Sequence, residues 1–181
     1  MGYHLFNEER YEEALVAYRK ALVIFRETFG EKYELTANCH QEIGKTLRAK
    51  DELEEALVEL RKALAIQKET LGENDKDTAN TYEDIGTILL LQERYDDALI
   101  GIGKALAIRL RVLGENHVNV GTSYFNIAVV LEKKGQYDEA LASIRKANAI
   151  NKRELGEGHI DSKDYSQFIL RLSCKVAKEH E

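Results

Sequence analysis

The chain has 181 residues with no Pro and 12 Gly, and that scarcity of turn residues disfavours a sheet-rich domain. Its formal net charge of −6 disfavours nucleic acid as a partner, because binding to phosphates needs clustered Lys and Arg. No apolar run approaches the roughly 20 residues of a membrane span, and no basic start followed by an apolar stretch reads as a signal peptide.

One five-residue segment recurs along the chain with a step of 42 residues. Its copies begin at Tyr11, Leu53, Tyr95 and Tyr137, and each continues with two acids, Ala and Leu. Self-similarity at this period is typical of a stacked array in which each unit contacts only its neighbours. The step predicts one array over 1–181, divided into a partial unit 1–30, full units 31–72, 73–114 and 115–156, and a terminal helix 157–181.

Each full unit carries two helical patterns. In the second unit, His40, Ile43, Gly44 and Leu47 lie at i, i+3, i+4 and i+7 over residues 34–50, which predicts a first helix. Residues 53–71 form the second pattern, and Gly72 is expected to end that helix. His40 stands at a large core position, so we predict a packed residue and not a metal ligand. Asp75, His117 and His159 are predicted to cap the first helices of the units that follow.

Small residues recur where the two helices of a unit are expected to touch. Gly44, Gly86 and Ala128 lie in first helices, and Ala56, Ala98 and Ala140 lie in second helices. A large side chain at either set would push the paired helices apart. Gly101 and Gly103 lie inside a second helix, where they either soften it or admit a close neighbour.

The two ends of the sequence leave open whether the array continues beyond them. Met1 aligns with Ile43, so the chain opens halfway through a first helix, which favours a fragment of a longer array at that end. Residues 160–178 predict one more first helix. That helix is either a polar-backed cap, as terminal units need, or the point where a longer array is cut.

Two segments carry a family resemblance. Tyr82-x-x-Ile85-Gly86-x-x-Leu89, followed by Ala98-x-x-x-Ile102, resembles the tetratricopeptide (TPR) repeat. The segment from Lys104 to Arg109, leading to Leu113-Gly114 and His117, is similar to the long-repeat subclass of kinesin light chains and nephrocystin-like proteins. The resemblance implies an all-α, right-handed superhelical solenoid of antiparallel helix pairs. It also implies a binding scaffold whose first helices line a concave face. The Pro that follows His in that subclass is absent here, and only Asn126 matches its inner-face Asn pair.

The family offsets place a candidate partner-binding set on the concave face. It comprises Asn38, Gln41, Glu42, Lys45, Asn80, Glu83, Asp84, Thr87, Thr122, Phe125, Asn126, Val129, Phe168 and Arg171. The three acids among them, Glu42, Glu83 and Asp84, are expected to form an acidic cluster, and the apolar members an adjoining patch. We predict a peptide or protein segment with an apolar anchor and basic flanks. The alternative is that Phe125 and Phe168 pack between helices and that the acids are only solvated.

The sequence offers no pattern for catalysis or for a cofactor. The five His include no i, i+4 pair with another His or Cys, and no nucleophile has a positioned base, so we predict a binding protein and no metal. Cys39 and Cys174 lie far apart, which disfavours a disulfide and favours a reducing compartment; of cytoplasm and nucleus, we predict the cytoplasm. An alternative function is architectural, with self-association through the array ends, especially the apolar half-helix at Leu5 and Phe6.

Overall fold

The computed structural model describes residues 2–156 and 159–179, and within them the chain forms nine α-helices and no strand. The helices are α1 Gly2–Asn7, α2 Tyr11–Phe29, α3 Glu34–Ala49, α4 Leu53–Thr70, α5 Lys76–Leu91, α6 Tyr95–Leu113, α7 Val118–Lys133, α8 Tyr137–Leu155 and α9 Ile160–Glu179. The first two and last two residues of the predicted terminal segment 157–181 lie outside the described residues. Each helix packs mainly on the helix before it and the helix after it. The first helices of successive pairs also touch, α3 with α5 and α5 with α7. The predicted all-helical solenoid is therefore confirmed.

Apolar side chains form a core that runs along the array. One cluster extends from Leu15 on α2 to Val130 on α7, and a second extends from Ala128 on α7 to Leu172 on α9. Because the clusters meet on α7, the core is a band between helix layers. Among the described residues, no helix is both long and apolar enough to span a bilayer.

Glycines let the two helices of a pair approach closely, as predicted. A Cβ added to Gly86 on α5 would lie 2.6 Å from Cγ1 of Ile102 and 3.2 Å from the carbonyl oxygen of Ala98 on α6. Gly44 on α3 stands in the same relation to α4, 2.7 Å from Cγ of Leu60. Any side chain at these positions would move one helix away from the other.

The two glycines inside α6 differ from each other. Gly101 is buried, and a Cβ there would lie 3.2 Å from the carbonyl oxygen of Tyr82 and 3.4 Å from Cα of Gly86. Gly103 has no heavy atom within 4 Å of the same built position. Gly101 therefore admits a close neighbour, whereas Gly103 only lowers the helix propensity of α6.

The turn inside each pair holds one residue with a left-handed backbone. These residues are Glu9 (φ 58°), Asp51 (φ 65°), Glu93 (φ 59°) and Gly135 (φ 81°). In the third pair, the amide of Glu93 donates to the carbonyl of Leu90 at 3.0 Å, and that of Arg94 donates to Leu89 at 2.8 Å. This pairing satisfies the last carbonyls of a helix and requires positive φ at the turn residue. The fourth pair uses Gly there, but the other three place a side chain in a disfavoured conformation.

Side-chain caps fix the starts of two first helices. Asp75 accepts a hydrogen bond from the amide of Asp77 at 2.7 Å, and Nδ1 of His117 accepts one from the amide of Asn119 at 3.1 Å. Both bonds satisfy an amide that a helix start leaves unpaired. The predicted caps at Asp75 and His117 are confirmed.

Polar links join the second helices α2, α4 and α6 to the residue that follows the next first helix. Lys50 and Lys134 pair with acids on α2 and α6, and the side-chain amide of Gln92 donates a hydrogen bond to an acid on α4. The links join Glu12 to Lys50 at 2.5 Å, Glu54 to Gln92 at 2.8 Å, and Asp96 to Lys134 at 2.5 Å. Both ends of the link recur with the 42-residue step, so successive pairs are connected in the same way.

Candidate partner-binding surface

A groove of about 860 Å³ lies between α7 and α9, the first helices of neighbouring units. Its lining comes from Phe125, Val129, Glu132 and Lys133 on α7, and from Asp164, Gln167, Phe168, Arg171 and Lys175 on α9. Four members of the predicted partner-binding set, Phe125, Val129, Phe168 and Arg171, therefore come together here. The groove has an apolar floor and a charged rim.

Aromatic rings form the floor. Phe125 stacks on Tyr165 with ring centroids 4.8 Å apart and meets Phe168 edge-on at 5.9 Å. Phe168 is only 8% exposed and belongs to the core, whereas Phe125 and Val129 are half-buried. Part of the predicted apolar patch is thus structural, and the part that remains open to solvent is Phe125 with Val129.

The rim carries three cations, Lys133, Arg171 and Lys175, and two acids, Glu132 and Asp164. Glu132 accepts hydrogen bonds from Arg171 at 2.8 Å and from Lys175 at 2.9 Å, and its side chain is only 10% exposed. The Arg171 guanidinium also lies over the ring of Phe168, 4.6 Å from its centroid. Lys133 is exposed and has no ion-pair partner among the described residues. Since Glu132 already holds Arg171 and Lys175, Lys133 is the cation of this rim that is left for a ligand, with the exposed Asp164 on the other side of the groove.

A buried arginine ties the middle of the array together. Arg109 on α6 is 5% exposed, and its Nη1 donates to Glu83 at 2.6 Å and to Ser123 at 2.8 Å. The same Nη1 lies 3.2 Å from the carbonyl oxygen of Asn119, and Nη2 donates to the side chain of Asn80 at 2.8 Å. The network joins α5, α6 and α7. Asn80 and Glu83, placed on the binding face from sequence, are therefore engaged inside the array.

The other two acids of the expected cluster also have internal partners. Asp84 accepts a hydrogen bond from Gln41 at 3.1 Å, and burial raises the pKa of its carboxyl despite the nearby Lys45. Glu42 accepts bonds from Lys45 at 2.9 Å and from the Tyr18 hydroxyl at 3.5 Å. Burial, together with Glu42, raises the pKa of Tyr18 to about 12. The three acids do not form one free anionic surface.

The remaining residues of the predicted set are dispersed. The Thr87 hydroxyl donates to the carbonyl of Glu83 at 2.9 Å, and the Thr122 hydroxyl donates to that of Val118 at 3.3 Å, so both bond within their own helices. Asn126 is half-buried on α7. Asn38 lies in a separate groove at the N-terminal end of the array.

His40 is a packed residue, as its core position predicted. It is 5% exposed, and its Nδ1 lies 2.6 Å from Oε2 of Glu59 on α4. The hydrogen bond with His40 lowers the pKa of Glu59 to about 2, with a smaller contribution from Lys62. Within residues 2–156 and 159–179, no group of three or more His, Cys, Asp or Glu is placed to hold a metal ion.

Glu132 is the main residue of the groove that sequence reasoning missed. The repeat step that passes through Arg48 and Leu90 also arrives at Glu132. The two earlier positions differ in charge and type, so their pattern gave no reason to expect a buried carboxylate. The 42-residue step alone therefore places Glu132 on the inner face, although it does not predict that the carboxylate is buried.

Comparison with a protein-family model decides the identity of the repeat. The model described as tetratricopeptide repeat matches residues 1–69, 44–100 and 77–153. The chain belongs to the TPR family. This confirms the resemblance carried by the Tyr82 and Ala98 segments. No curated protein sequence matches the chain.

Solved structures share the architecture of this TPR array. BtubC (BKLC) from P. vanneervenii superposes with a TM-score of 0.88 at 20% identity, over 97% of this chain and 70% of that one. A putative kinesin light chain with nearly identical TPR-like repeats from Podosopora anserina gives 0.83 at 17%, over 99% and 85%. The apo form of RapI gives 0.77 at 24%, over 98% and 66%. At these identities the likeness shows the fold, which is the kinesin-light-chain-like form of the TPR solenoid.

Proposed function

We propose that this TPR array is a protein-interaction scaffold whose concave face binds a segment of a partner protein, with the α7–α9 groove as the anchor site. The observation that carries the proposal is that the half-buried Phe125 and Val129 and the exposed Lys133 line one open groove. Grooves that combine an apolar pocket with a few placed polar groups are the usual form of a recognition site. We also infer that the chain acts by binding, without a catalytic step of its own.

The groove favours a particular partner chemistry. An apolar side chain placed on Phe125 and Val129 would remove their exposed faces from water. A carboxylate beside that anchor would meet Lys133, whose ammonium group has no ion-pair partner among the residues described. We therefore propose a peptide with an apolar anchor flanked by Asp or Glu. A basic flank finds less support, because Glu83 is paired with Arg109 and Asp84 is held by Gln41.

A selection with a displayed peptide library tests the proposal. Immobilised full chain should enrich peptides that carry a large apolar residue next to an acid. Val129→Asp should abolish the enrichment, because it places an anion on the apolar floor, and Lys133→Glu should remove the preference for the acid. Arg61→Glu is the matched control, since Arg61 is exposed on α4, outside the groove.

Two results would overturn the proposal. One is a library without any enriched motif, and the other is a motif that Val129→Asp captures as well as the wild type does. Glu83→Lys is a poor test of binding, because it would place a second cation beside the buried Arg109 and report on stability instead.

A further inference from the structure

A cavity of about 420 Å³ lies between α2, α3 and α4, away from the α7–α9 groove. His40 and Glu59 line it, together with Arg26 and Glu31 from the end of α2 and the turn that follows. Its apolar lining comes from Leu22, Ile43, Leu47 and Val58. The volume falls within the range of roughly 300–1,000 Å³ that small-molecule sites occupy.

The third unit shows which side chain occupies the matching space one repeat step later. Tyr82 holds the position of His40, and Nζ of Lys104 on α6 lies 5.2 Å from the centroid of its ring. At the end of α4, Lys68 pairs with Glu73 at 2.5 Å, and the pKa of Lys68 is raised by Glu73 and then by the Tyr82 hydroxyl. The phenol therefore reaches from one second helix to the second helix before it.

The charged neighbours of that phenol have counterparts around the cavity. One step of 42 residues before Lys104, Lys68 and Glu73 stand Lys62, Arg26 and Glu31. Arg26 and Glu31 lie 4.0 Å apart, which repeats the Lys68–Glu73 pair at a longer distance. The fourth unit again sets a lysine over a tyrosine, with Nζ of Lys146 5.1 Å from the ring centroid of Tyr124.

The second unit differs from these two because its own ring is smaller and is held on α4. Nδ1 of His40 lies 2.6 Å from Oε2 of Glu59. The position of Glu59 is held by Gly101 in the third unit and by Ser143 in the fourth, so neither offers a carboxylate to a ring. An imidazole bonded to Glu59 leaves the space toward Arg26 open, and this space is the cavity.

The lining of the cavity carries balanced charge. Its three cations and three acids are Arg19, Arg26, Lys62, Glu31, Glu55 and Glu59. Glu59 also accepts a hydrogen bond from Lys62 at 2.7 Å, so the charge next to His40 is already paired. An uncharged ring with one polar group suits such a lining better than an ion, which would lose its hydration without a matching countercharge.

We propose that this cavity binds a phenol ring, the group that the chain provides from its own Tyr82 and Tyr124 in the two units that follow. The ring would pack on the apolar lining beside Lys62, and its hydroxyl would meet Arg26 and Glu31. Burial of the ring and a cation at its face both favour binding. A tyrosine of a partner protein and a free small phenol carry this same chemistry, and two probes separate these sources.

The first probe is p-cresol, which is the tyrosine side chain as a free molecule. Titrated into the ¹⁵N-labelled full chain, it should shift the amide signals of Leu22 and Leu47 saturably in NMR spectra. Toluene has the same ring and methyl group without the hydroxyl. It should bind about threefold more weakly or less, because it forms no hydrogen bond with the Arg26–Glu31 pair.

Matched variants assign the binding to the cavity. Val58→Trp should abolish the p-cresol shifts, because an indole placed there fills the space. Ile100→Trp makes a comparable change at the same repeat position and should leave the shifts intact, since Ile100 lies outside the cavity. Both positions are exposed, at 50% and 60%, so both variants should fold, which circular dichroism establishes.

Two further variants test the origin of the site. The double variant His40→Tyr/Glu59→Gly rebuilds the arrangement of the third unit, so its own phenol should displace p-cresol. Arg26→Ala should reduce the affinity for p-cresol to that for toluene, because it removes one polar partner of the hydroxyl.

The second probe is the blocked tripeptide acetyl-Gly-Tyr-Gly-amide. Shifts of the same amides would assign the site to a tyrosine of a partner protein, and binding of p-cresol alone would assign it to a free phenol. The proposal is overturned by the absence of saturable p-cresol shifts, by equal affinity for toluene, or by undiminished shifts in Val58→Trp. Since these variants leave the α7–α9 groove unchanged, failure here leaves the peptide-library result standing.

Discussion

The third helix pair, α5–α6, and the N-terminal pair, α1–α2, use the same positions in opposite ways. In the third pair, Ile108 is covered and Arg109 is held in a network between three helices. In the N-terminal pair, Ile24 is open and Phe25 takes the place of the arginine. The inner position builds a joint between units, while the outer one builds an apolar surface.

The difference shows that one repeat position can hold a polar joint in one unit and an apolar side chain in another. A polar residue is favourable at an inner position because neighbouring helices supply its partners, and without them it would carry the penalty of burial. The matching position of α2 holds the half-buried Phe25, an apolar residue that needs no polar partner. The repeat position therefore predicts a function only together with its neighbours.

The largest expected effect comes from removing Arg109. Arg109→Ala should lower the free energy of unfolding by about 3–5 kcal/mol, because it leaves the Glu83 carboxylate half-enclosed without its cation. Phe25→Ala should cost less than about 2 kcal/mol, because one side of the half-buried ring is already open. Urea denaturation measures both, and equal losses would break the comparison. Glu83→Gln in the Arg109→Ala background should recover part of the loss.

Equivalent glycines in the two pairs provide the next test. Gly86→Ala should destabilise the array by about 1–3 kcal/mol, because the new methyl group meets both Ile102 and the α6 backbone. Gly2→Ala meets only the ring of Tyr18, which can turn toward the open groove, so its effect should be much smaller. Thermal unfolding followed by circular dichroism compares them. A similar loss of melting temperature in both would show that the N-terminal pair is as closed as the third.

The pH dependence of stability should originate in the second pair. The pKa of Glu59 is about 2 when folded, below its ordinary value of 4.5, so the ionised carboxylate is favoured by folding. Its contribution is complete above pH about 4.5 and is lost as the pH falls through the folded pKa. By about pH 3 the wild type should lose on the order of 2 kcal/mol more than Glu59→Gln does. The equivalent positions of the N-terminal and third pairs are held by Ala17 and Gly101. Since neither residue ionises, those two pairs cannot show this pH dependence.

Denaturant titrations across this range measure the difference. The control is Glu55→Gln, an exposed acid on the same helix, which should follow the wild type. If Glu59→Gln and wild type lose stability in parallel, the His40–Glu59 contact does not stabilise the fold.

The smallest effect concerns the turn residues. Glu93→Gly should stabilise the third pair by about 0.5–1 kcal/mol, because it relieves a left-handed side chain but also loosens the unfolded chain. Glu9→Gly makes the same change beside α1 and should alter global unfolding less, since terminal segments open locally first. Native-state hydrogen exchange resolves the two sites, and a larger gain from Glu9→Gly would contradict the picture of an open end.

The helix pairs and their close contacts could be predicted from sequence because the repeat presents the same evidence several times. Gly44 and Gly86 recur opposite Ala56 and Ala98, so a steric reason was visible without coordinates. Asp75 could likewise be assigned as a cap from its place just before a helical pattern.

The state of the groove acids could not be predicted in the same way. Glu83 was placed on the binding face by its offset, but its partner Arg109 lies on another helix and occurs in only one unit. An unrepeated pair leaves no trace in a periodic pattern. The exposure of Ile24 was hidden for the opposite reason: its sequence pattern matches Ile66, and only the packing differs.

The polar links between successive helix pairs differ in how they should respond to salt. Two of them, Glu12–Lys50 and Asp96–Lys134, are ionic, and the one between them, Glu54–Gln92, uses a neutral amide. Dissolved ions weaken the attraction between two exposed charges, but they change a hydrogen bond from a neutral side-chain amide much less. Added salt should therefore weaken the Glu12–Lys50 and Asp96–Lys134 links and leave the Glu54–Gln92 link nearly unchanged. The curvature of the solenoid, and with it the fit of a long ligand, should then vary with ionic strength.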